Sequence, residues 1–268
     1  MSPADMLVTF DIDGTICRSV GEGANFMHKA AFAHAFKEVF SLDASIDEVH
    51  HHGSTDGLIL VKVLVHRGVS KEEAMRRLPD LKSAMVASME QVLAADPGAA
   101  AVGLELLPGV AELLQALAQR GIRVGLTTGN LEAIAWAKMR ALGIDSLFGE
   151  EETRLGGFGS DFCDGDFESE DGPTTNRAEL LRVARQRAEA AASSFGGSCL
   201  RHVHIGDAPA DVRAAVKARG TPLGVCTGIF GRAELESSIR SETGGDMVGS
   251  VLDSLADTAG ALDAMGLK

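Results

Sequence analysis

Two aspartates separated by one residue follow the first apolar segment of the chain. Met6–Phe10 is a short apolar run, and Asp11, Asp13 and Gly14 come directly after it. Such a run predicts a buried strand, which would present both acids in a loop at its carboxyl end. A carboxylate there can attack phosphorus and form an acyl phosphate, while a second acid protonates the leaving oxygen and later activates water. We therefore predict Asp11 as a nucleophile and Asp13 as an acid and base.

Polar residues also follow two later apolar segments. Thr128 ends one of them, and Asp207, with Asp211 four residues further on, follows the other. In a parallel sheet, the carboxyl ends of neighbouring strands meet at one edge. Acids brought together there would repel each other unless a divalent cation lay between them, and ligands that are all oxygen favour magnesium. We predict a magnesium site formed by Asp11, Asp13, Asp207 and Asp211.

Further residues are expected to hold the transferring phosphoryl group. Gly14 allows a tight turn that brings backbone amides to the phosphoryl oxygens, and Thr128 offers a hydroxyl. We predict Arg177 as the neutralising cation, because it would open a helix over residues 176–192 whose amino end also favours anions. The residues expected to bind the phosphoryl group in the two loops are Gly14, Thr15, Gly129 and Asn130.

Helix and strand patterns alternate in the second part of the chain. This alternation predicts an α/β fold with a doubly wound, mostly parallel, Rossmann-like sheet. The expected helices cover residues 109–120, 131–142, 176–192 and 233–238. The expected strands cover residues 122–127, 202–205 and 223–226.

The preceding part of the chain is predicted to be helical. Apolar residues recur at three- and four-residue spacing, and no convincing strand pattern lies between Thr15 and Leu107. We expect an α/β catalytic core of residues 1–17 and 107–268, interrupted by a helical domain of residues 18–106. Its expected helices cover residues 24–40, 58–66 and 71–95, the last one broken near Pro79.

These motifs resemble those of the haloacid dehalogenase-like hydrolase superfamily, and within it the phosphoglycolate phosphatase-like group with a helical cap. The first family motif matches residues 11–15, the second matches the apolar strand that ends at Thr128, and the fourth matches residues 204–211. The resemblance implies that magnesium is bound by the Asp11 and Asp207 side chains and the Asp13 carbonyl, with Asp211 in support.

The third motif of the family usually supplies a lysine. No lysine lies between Lys138 and Lys217, so Arg177 would be a substitution of the same charge but of different geometry. The helical insertion resembles the family's cap, which closes over the site and selects the substrate. Thr55 and Asp56 lie in a segment that resembles a cap loop, so they are candidates for substrate binding. The alternative is that they cap the helix ahead of Leu58.

Composition excludes several classes of protein. Hydrophobic residues make up 45% of the chain, no segment has the uninterrupted apolar length of a membrane span, and the formal net charge is −13. We expect a cytoplasmic protein that binds neither membrane nor nucleic acid. The acidic segment of residues 161–171 is interpreted as a solvated loop, with a calcium site as the minor alternative.

The leading hypothesis is magnesium-dependent hydrolysis of a small phosphorylated metabolite through an aspartyl phosphate. A sugar-phosphate mutase would share Asp11 and Asp13, and a non-catalytic binding protein of the same fold is the third alternative. A dehalogenase would not need the acid at Asp13, and no cap lysine can be assigned to a phosphonate hydrolase. The substrate and the oligomeric state are left open.

Overall fold

The central sheet of the computed structural model is parallel and is built from strands that are far apart in sequence. The structure describes residues 5–21, 23–51, 53–192 and 200–267. Within these residues, six strands form the sheet in the order β5-β4-β1-β6-β7-β8, and two short strands, β2 and β3, form an antiparallel pair. The strands are β1 (Met6–Phe10), β2 (Cys17–Ser19), β3 (Leu104–Leu106), β4 (Arg123–Thr128), β5 (Leu155–Phe158), β6 (Arg201–Gly206), β7 (Thr221–Val225) and β8 (Ser250–Leu252).

Strand β1 lies at the centre because all five of its residues are apolar or small enough to be buried. It pairs in parallel with β4 on one side and with β6 on the other. Later strands therefore lie on both sides of β1, with β4 and β5 on one side and β6 to β8 on the other. The point where the strand order reverses in this way is where ligands of doubly wound folds bind. The predicted fold class is confirmed.

Helices cover both faces of the sheet. Val8 and Phe10 point into an apolar cluster that includes residues of α5, α6 and α10, whereas Leu7 points to the other face and packs with Ala188 of α7. The helices are α1 (Phe26–Phe40), α2 (Asp56–His66), α3 (Lys71–Arg76), α4 (Leu78–Ala95), α5 (Val110–Gln119), α6 (Glu132–Ala141), α7 (Gly172–Ala192), α8 (Pro209–Lys217), α9 (Arg232–Thr243) and α10 (Thr258–Ala264). No helix in these residues is both long and apolar enough to cross a membrane.

Helices α1–α4 pack around an apolar cluster of their own, which includes Phe32, Phe36, Leu64 and Met85. The predicted break near Pro79 is present, since α3 ends at Arg76 and α4 begins at Leu78. The cluster continues into one face of α6, whose contributing residues are Ile134 and Ala137. The helical insertion is therefore docked on the α/β part through α6.

Several local elements differ from the sequence-based expectations. The pair β2 and β3 lies where no strand was expected, because three residues are too few to show an alternating pattern. Strand β5 lies in a region expected to be a loop, because its sequence Leu-Gly-Gly-Phe has few strand-forming side chains. Helix α7 begins at Gly172 instead of residue 176, so Arg177 does not open it. The field of the helix end is therefore the wrong reason for placing a cation there.

Candidate active site

Three carboxylates meet at the carboxyl end of the sheet. Asp11 follows β1 and its backbone amide continues the ladder by donating to the Ile205 carbonyl at 2.9 Å. One oxygen from each of Asp11, Asp207 and Asp211 lies within 4.8 Å of the others, and all three residues are buried. The parallel pairing of β1 with β6 produces this cluster, as expected for residues that follow adjacent strands.

Asp207 is enclosed by glycines on two sides. Gly14 has a φ of +92°, and a Cβ atom at Gly14 or at Gly228 would overlap the Asp207 carboxylate. The hydroxyl of Thr15 donates to Asp207 Oδ1 at 3.2 Å, and the hydroxyl of Thr227 donates to the Gly14 carbonyl at 2.6 Å. Thr15 therefore holds the Asp207 side chain, and Gly14 leaves room for it. The Gly14 amide donates to the Cys17 carbonyl at 2.7 Å and the Thr15 amide to the Ile12 carbonyl at 3.3 Å, so phosphoryl binding by these two residues stays a prediction.

The positive charge near the cluster is too small to keep all three of its carboxylates ionised. Burial raises the pKa of Asp11 to about 7, against the opposing charge of Arg177 and with a contribution from the Asp211 carboxylate. Burial, together with the Asp211 and Asp11 carboxylates, raises the pKa of Asp207 to about 8. In addition, Asp11 Oδ1 is buried and has no hydrogen-bond donor. Buried carboxylates of this kind fit a divalent cation, which would neutralise them and occupy the unpaired oxygen.

Arg177 lies inside the site although its position in α7 differs from expectation. The Arg177 side chain is 9% exposed, and its guanidinium donates to Asp211 Oδ1 and has an NH1 nitrogen 3.5 Å from Asp11 Oδ1. Asp211 also accepts a bond from the Ala208 amide at 3.1 Å. Burial alone would raise the pKa of Asp211, but Arg177, His204 and the Ala208 amide together outweigh it and lower the pKa. Asp211 thus orients Arg177, while Asp11 and Asp207 keep oxygens for a cation.

The side chain of Asp13 is turned away from the three clustered carboxylates. Both of its oxygens lie 2.9 Å from the Nζ of Lys138, and Asn130 donates to its Oδ2 at 3.0 Å. Burial would raise the pKa of Asp13, but Lys138 and the Asn130 amide outweigh it and lower the pKa to about 2. The side chain of Asp13 is therefore outside the predicted metal cluster, and only its carbonyl is left as a candidate ligand.

Lys138 was not identified from the sequence. It lies on α6 four residues after the buried Ile134 and is itself buried. A lysine on the apolar face of a predicted helix was therefore the sequence signal that could have pointed to it. Charged side chains are almost never fully buried unless they are paired. Its partner could not be named, because Asp13 is 125 positions away in the chain.

The loop after β4 contacts both Asp13 and the helical insertion. Thr128 Oγ1 accepts a bond from the Asn130 side chain at 2.9 Å. The Asn130 amide is thus committed to Asp13 and Thr128, and its oxygen accepts from Lys138 at 2.9 Å. Gly129 packs so closely on the insertion that a Cβ atom would crowd the Ser54 carbonyl. Because these contacts already occupy the Asn130 side chain, substrate binding by Gly129 and Asn130 stays a prediction.

The two candidates in the insertion have different environments. Thr55 is fully buried and its hydroxyl accepts a bond from the Leu58 amide at 3.4 Å, as a helix cap does. Asp56 Oδ2 accepts from the Leu131 amide at 2.8 Å and from His28 Nε2 at 2.9 Å. Asp56 therefore joins the insertion to the start of α6.

A cleft of about 740 Å³ lies between the insertion and the carboxylate cluster. Its floor includes Asp11, Asp13, Arg177 and Asp207, and its walls include His28 and Lys29 from the insertion. The cleft is therefore large enough for a small phosphorylated metabolite next to Asp11.

The sequence matches a known family over most of its length. The family model of haloacid dehalogenase-like hydrolases matches residues 6–219. The chain belongs to the haloacid dehalogenase-like hydrolases. The expected family is thus confirmed, and the match contains both the helical insertion and the carboxylate cluster. No curated protein sequence matches the chain.

Solved structures with the same fold cover nearly the whole chain. A hydrolase from Pseudomonas syringae is 21% identical with a TM-score of 0.56, over 96% of this chain and 97% of that chain. A protein called a predicted phosphoglycolate phosphatase, from Haemophilus somnus, is 18% identical with a TM-score of 0.53, over 97% and 99%. The β-phosphoglucomutase of Clostridium difficile is 18% identical with a TM-score of 0.51, over 99% and 98%. At these identities the likeness to this haloacid dehalogenase-like chain concerns the fold alone.

Proposed function

We propose that this protein hydrolyses a small phosphate monoester through an aspartyl phosphate on Asp11, with magnesium as its cofactor. The observation that carries the proposal is the environment of Asp11. Its Oδ1 is buried without a hydrogen-bond donor, lies 3.5 Å from Arg177, and shares a cluster with Asp207. A carboxylate with a free oxygen, next to a cation and a site for a second cation, suits attack on a phosphate.

The reaction would proceed in two displacements. In the first, an oxygen of Asp11 forms a bond to phosphorus and the bond from phosphorus to the leaving oxygen breaks, while the proton of the substrate's phosphate monoanion passes through Asp13, which is ionised in the free protein, to that oxygen. In the second, Asp13 takes a proton from water, the water oxygen bonds to phosphorus, and the Asp11 carboxylate is released. Arg177 offsets the charge of the transferring group, and the Thr128 hydroxyl donates a hydrogen bond to it.

Asp11 and Asp207 would hold the magnesium through their side chains and Asp13 through its carbonyl, with Asp211 supporting Arg177. When bound, magnesium neutralises the acids and polarises the phosphoryl group. This role is consistent with the raised pKa values of Asp11 and Asp207, which indicate a deficit of positive charge in the cluster.

We further propose that residues 18–106 form a cap over a catalytic core of residues 1–17 and 107–268. The apolar cluster around which α1–α4 pack, distinct from the cluster beneath the sheet, and the cleft next to it support this division. The expected partner is a small phosphorylated metabolite that occupies this cleft. His28 and Asp56 of the insertion line it, so they would contact the part of the substrate that leaves with the oxygen.

The test is hydrolysis of p-nitrophenyl phosphate with and without magnesium, in wild type, Asp11→Asn and Asp43→Asn. The Asp43 side chain is 88% exposed and serves as the matched control. We expect Asp11→Asn to lose at least about a thousandfold in kcat, since loss of a covalent nucleophile has effects of this order or more. Equal rates for wild type and Asp11→Asn would remove Asp11 from the mechanism.

Assays of the wild-type protein with a sugar phosphate distinguish hydrolysis from the mutase alternative. Release of inorganic phosphate from a sugar phosphate without a bisphosphate activator supports the hydrolase. Interconversion of phosphate positions with little release of phosphate would instead support the mutase, which uses the same two acids.

A further inference from the structure

Lys138 is enclosed by the groups that it contacts. Its side chain is 1% exposed. Its ammonium group has three hydrogen-bond donors, and three oxygens lie 2.9 Å from Nζ: Asp13 Oδ1, Asp13 Oδ2 and Asn130 Oδ1. The ammonium group is therefore fully paired without any contact to water.

Asp13 has more freedom than the lysine that holds it. Its side chain is 39% exposed to the cleft, so it would sample several rotamers if nothing constrained it. Lys138 holds both oxygens, and Asn130 holds Oδ2 from another side while it also bonds to Thr128. These contacts select one orientation of Asp13, on the side of the cleft formed by β4 and α6.

We propose that Lys138 is a positioning residue that acts through Asp13, holding its carboxyl group where it meets the leaving oxygen of the substrate. This inference rests on the proposed function, since it assigns Lys138 to the same reaction. Lys138 touches neither the cluster of Asp11 and Asp207 nor, by its burial, the substrate. Its contribution is to the geometry of acid catalysis, in which small displacements of the donor have large effects on the rate.

A purely structural lysine would produce a different pattern of kinetics. If Lys138 only stabilised the fold, its loss would reduce the turnover of all substrates by the same factor. If it positions Asp13, its loss matters most when the leaving oxygen needs a proton. An alkyl phosphate has such a leaving group, whereas p-nitrophenolate leaves readily as an anion. The ratio of kcat/KM for these two substrates therefore separates the two roles.

The experiment compares wild type, Lys138→Met and Lys82→Met with p-nitrophenyl phosphate and with the best alkyl phosphate from a metabolite screen. We expect Lys138→Met to lower kcat/KM for the alkyl phosphate by about tenfold to a hundredfold more than for the aryl phosphate, within the range of acid catalysis. Lys82 is partly buried and donates to the Ser160 carbonyl, away from Asp13, so Lys82→Met should leave the ratio unchanged.

A double-mutant cycle tests whether Lys138 acts through Asp13. In an Asp13→Asn background, Lys138→Met should change kcat/KM for the alkyl phosphate by less than about threefold, because the group that it positions is already lost. An unchanged ratio in Lys138→Met, or full multiplication of the two effects in the double variant, would overturn the proposal.

Melting curves of each variant show whether it is folded. If Lys138→Met does not fold, Lys138→Leu takes its place, because leucine fills part of the same space and has no hydrogen-bond donor for Asp13. A wild-type ratio in Lys138→Leu would then overturn the proposal. Failure of wild type to hydrolyse either substrate would instead overturn the proposed function, and this inference with it.

Discussion

The buried acids at the ends of β1 and β6 oppose folding when no cation is present. The pKa of Asp207 is raised from 3.8 to about 8, so between these pH values the folded state binds a proton that the unfolded state has released. The free energy of unfolding therefore decreases as pH rises through this window, and the loss is complete above about pH 8. Site residues that destabilise the fold are expected where function requires unpaired charge.

The first prediction concerns Asp207→Asn in protein freed of metal by a chelator. We expect this variant to melt at a higher temperature than wild type at pH 8, by about 2 to 4 °C for each kcal/mol recovered, while it loses magnesium-dependent activity. Near pH 4 the difference should become small, because the unfolded chain then also keeps much of the Asp207 proton. Thermal melts at both pH values measure it.

The control for this prediction is addition of magnesium to wild type. Magnesium should raise the melting temperature of wild type more at pH 8 than at pH 5, since protons compete with the cation for Asp11 and Asp207. Asp207→Asn should respond much less. A variant that melts below wild type at pH 8, with a chelator present, would show that the Asp207 charge is already compensated within the protein.

At the level of secondary structure, the close packing of α7 on β5 determines where Arg177 lies. A Cβ atom at Gly157 of β5 would overlap the Leu180 carbonyl of α7. Glycine in a strand is typical of sites where another backbone approaches closely. Arg177 is three residues before Leu180 on the same helix, so the distance from Arg177 to Asp11 depends on this contact.

The second prediction is that Gly157→Ala displaces α7. We expect a loss of about 1 to 3 kcal/mol in the free energy of unfolding, as for other overpacked sites, together with a lower kcat because Arg177 moves. Urea denaturation and hydrolysis of p-nitrophenyl phosphate measure the two effects.

Gly23→Ala is the control for this variant, since a Cβ atom at Gly23 would make only an ordinary contact at 3.8 Å. It should leave both quantities close to wild type. Similar stability and kcat in Gly157→Ala and Gly23→Ala would contradict the packing argument.

At the scale of the whole molecule, the insertion and the α/β part are joined next to the active site. The Asp56 amide donates to the Gly129 carbonyl at 2.8 Å, while its side chain accepts from the Leu131 amide and from His28. These bonds are made to Gly129 and Leu131, the residues on either side of Asn130, and Asn130 contacts Asp13. The position of the insertion is therefore linked to the loop that supports the acid and base.

The third prediction is that Asp56→Ala weakens this junction. The variant leaves the Leu131 amide without its partner and frees His28, so we expect a loss of about 1 to 3 kcal/mol in the free energy of unfolding. KM for a metabolite phosphate should rise more than kcat falls, because the reacting groups remain in the core. Steady-state kinetics and urea denaturation measure both.

Asp80→Ala is a suitable control for Asp56→Ala, since Asp80 is in the insertion but is exposed, pairs with Arg77 and lies outside the cleft lining. Exposed pairs contribute little to stability. An unchanged KM in Asp56→Ala would show that this junction does not govern substrate binding.

The order of the apolar runs and of the polar residues that follow them was enough to predict the fold class and the family. The runs before Asp11, Thr128 and Asp207 mark buried strands, and parallel strands bring their carboxyl ends to one edge whatever the distance between them in sequence. For the same reason, the sequence alone was enough to predict that Asp11, Asp207 and Asp211 lie close together. These inferences needed only local patterns and one general property of parallel sheets.

Tertiary structure decided which groups each side chain contacts. The pairing of Asp13 with Lys138, the place of Arg177 beside Asp11 instead of at the start of α7, and the strand β5 all depend on packing between distant segments. Local sequence carries no record of such pairings, because the free energy that selects them arises only when separate elements bury their surfaces together. The chain therefore revealed which strand ends bear the reacting acids, whereas folding determined which of those acids faces a cation and which is held by a lysine.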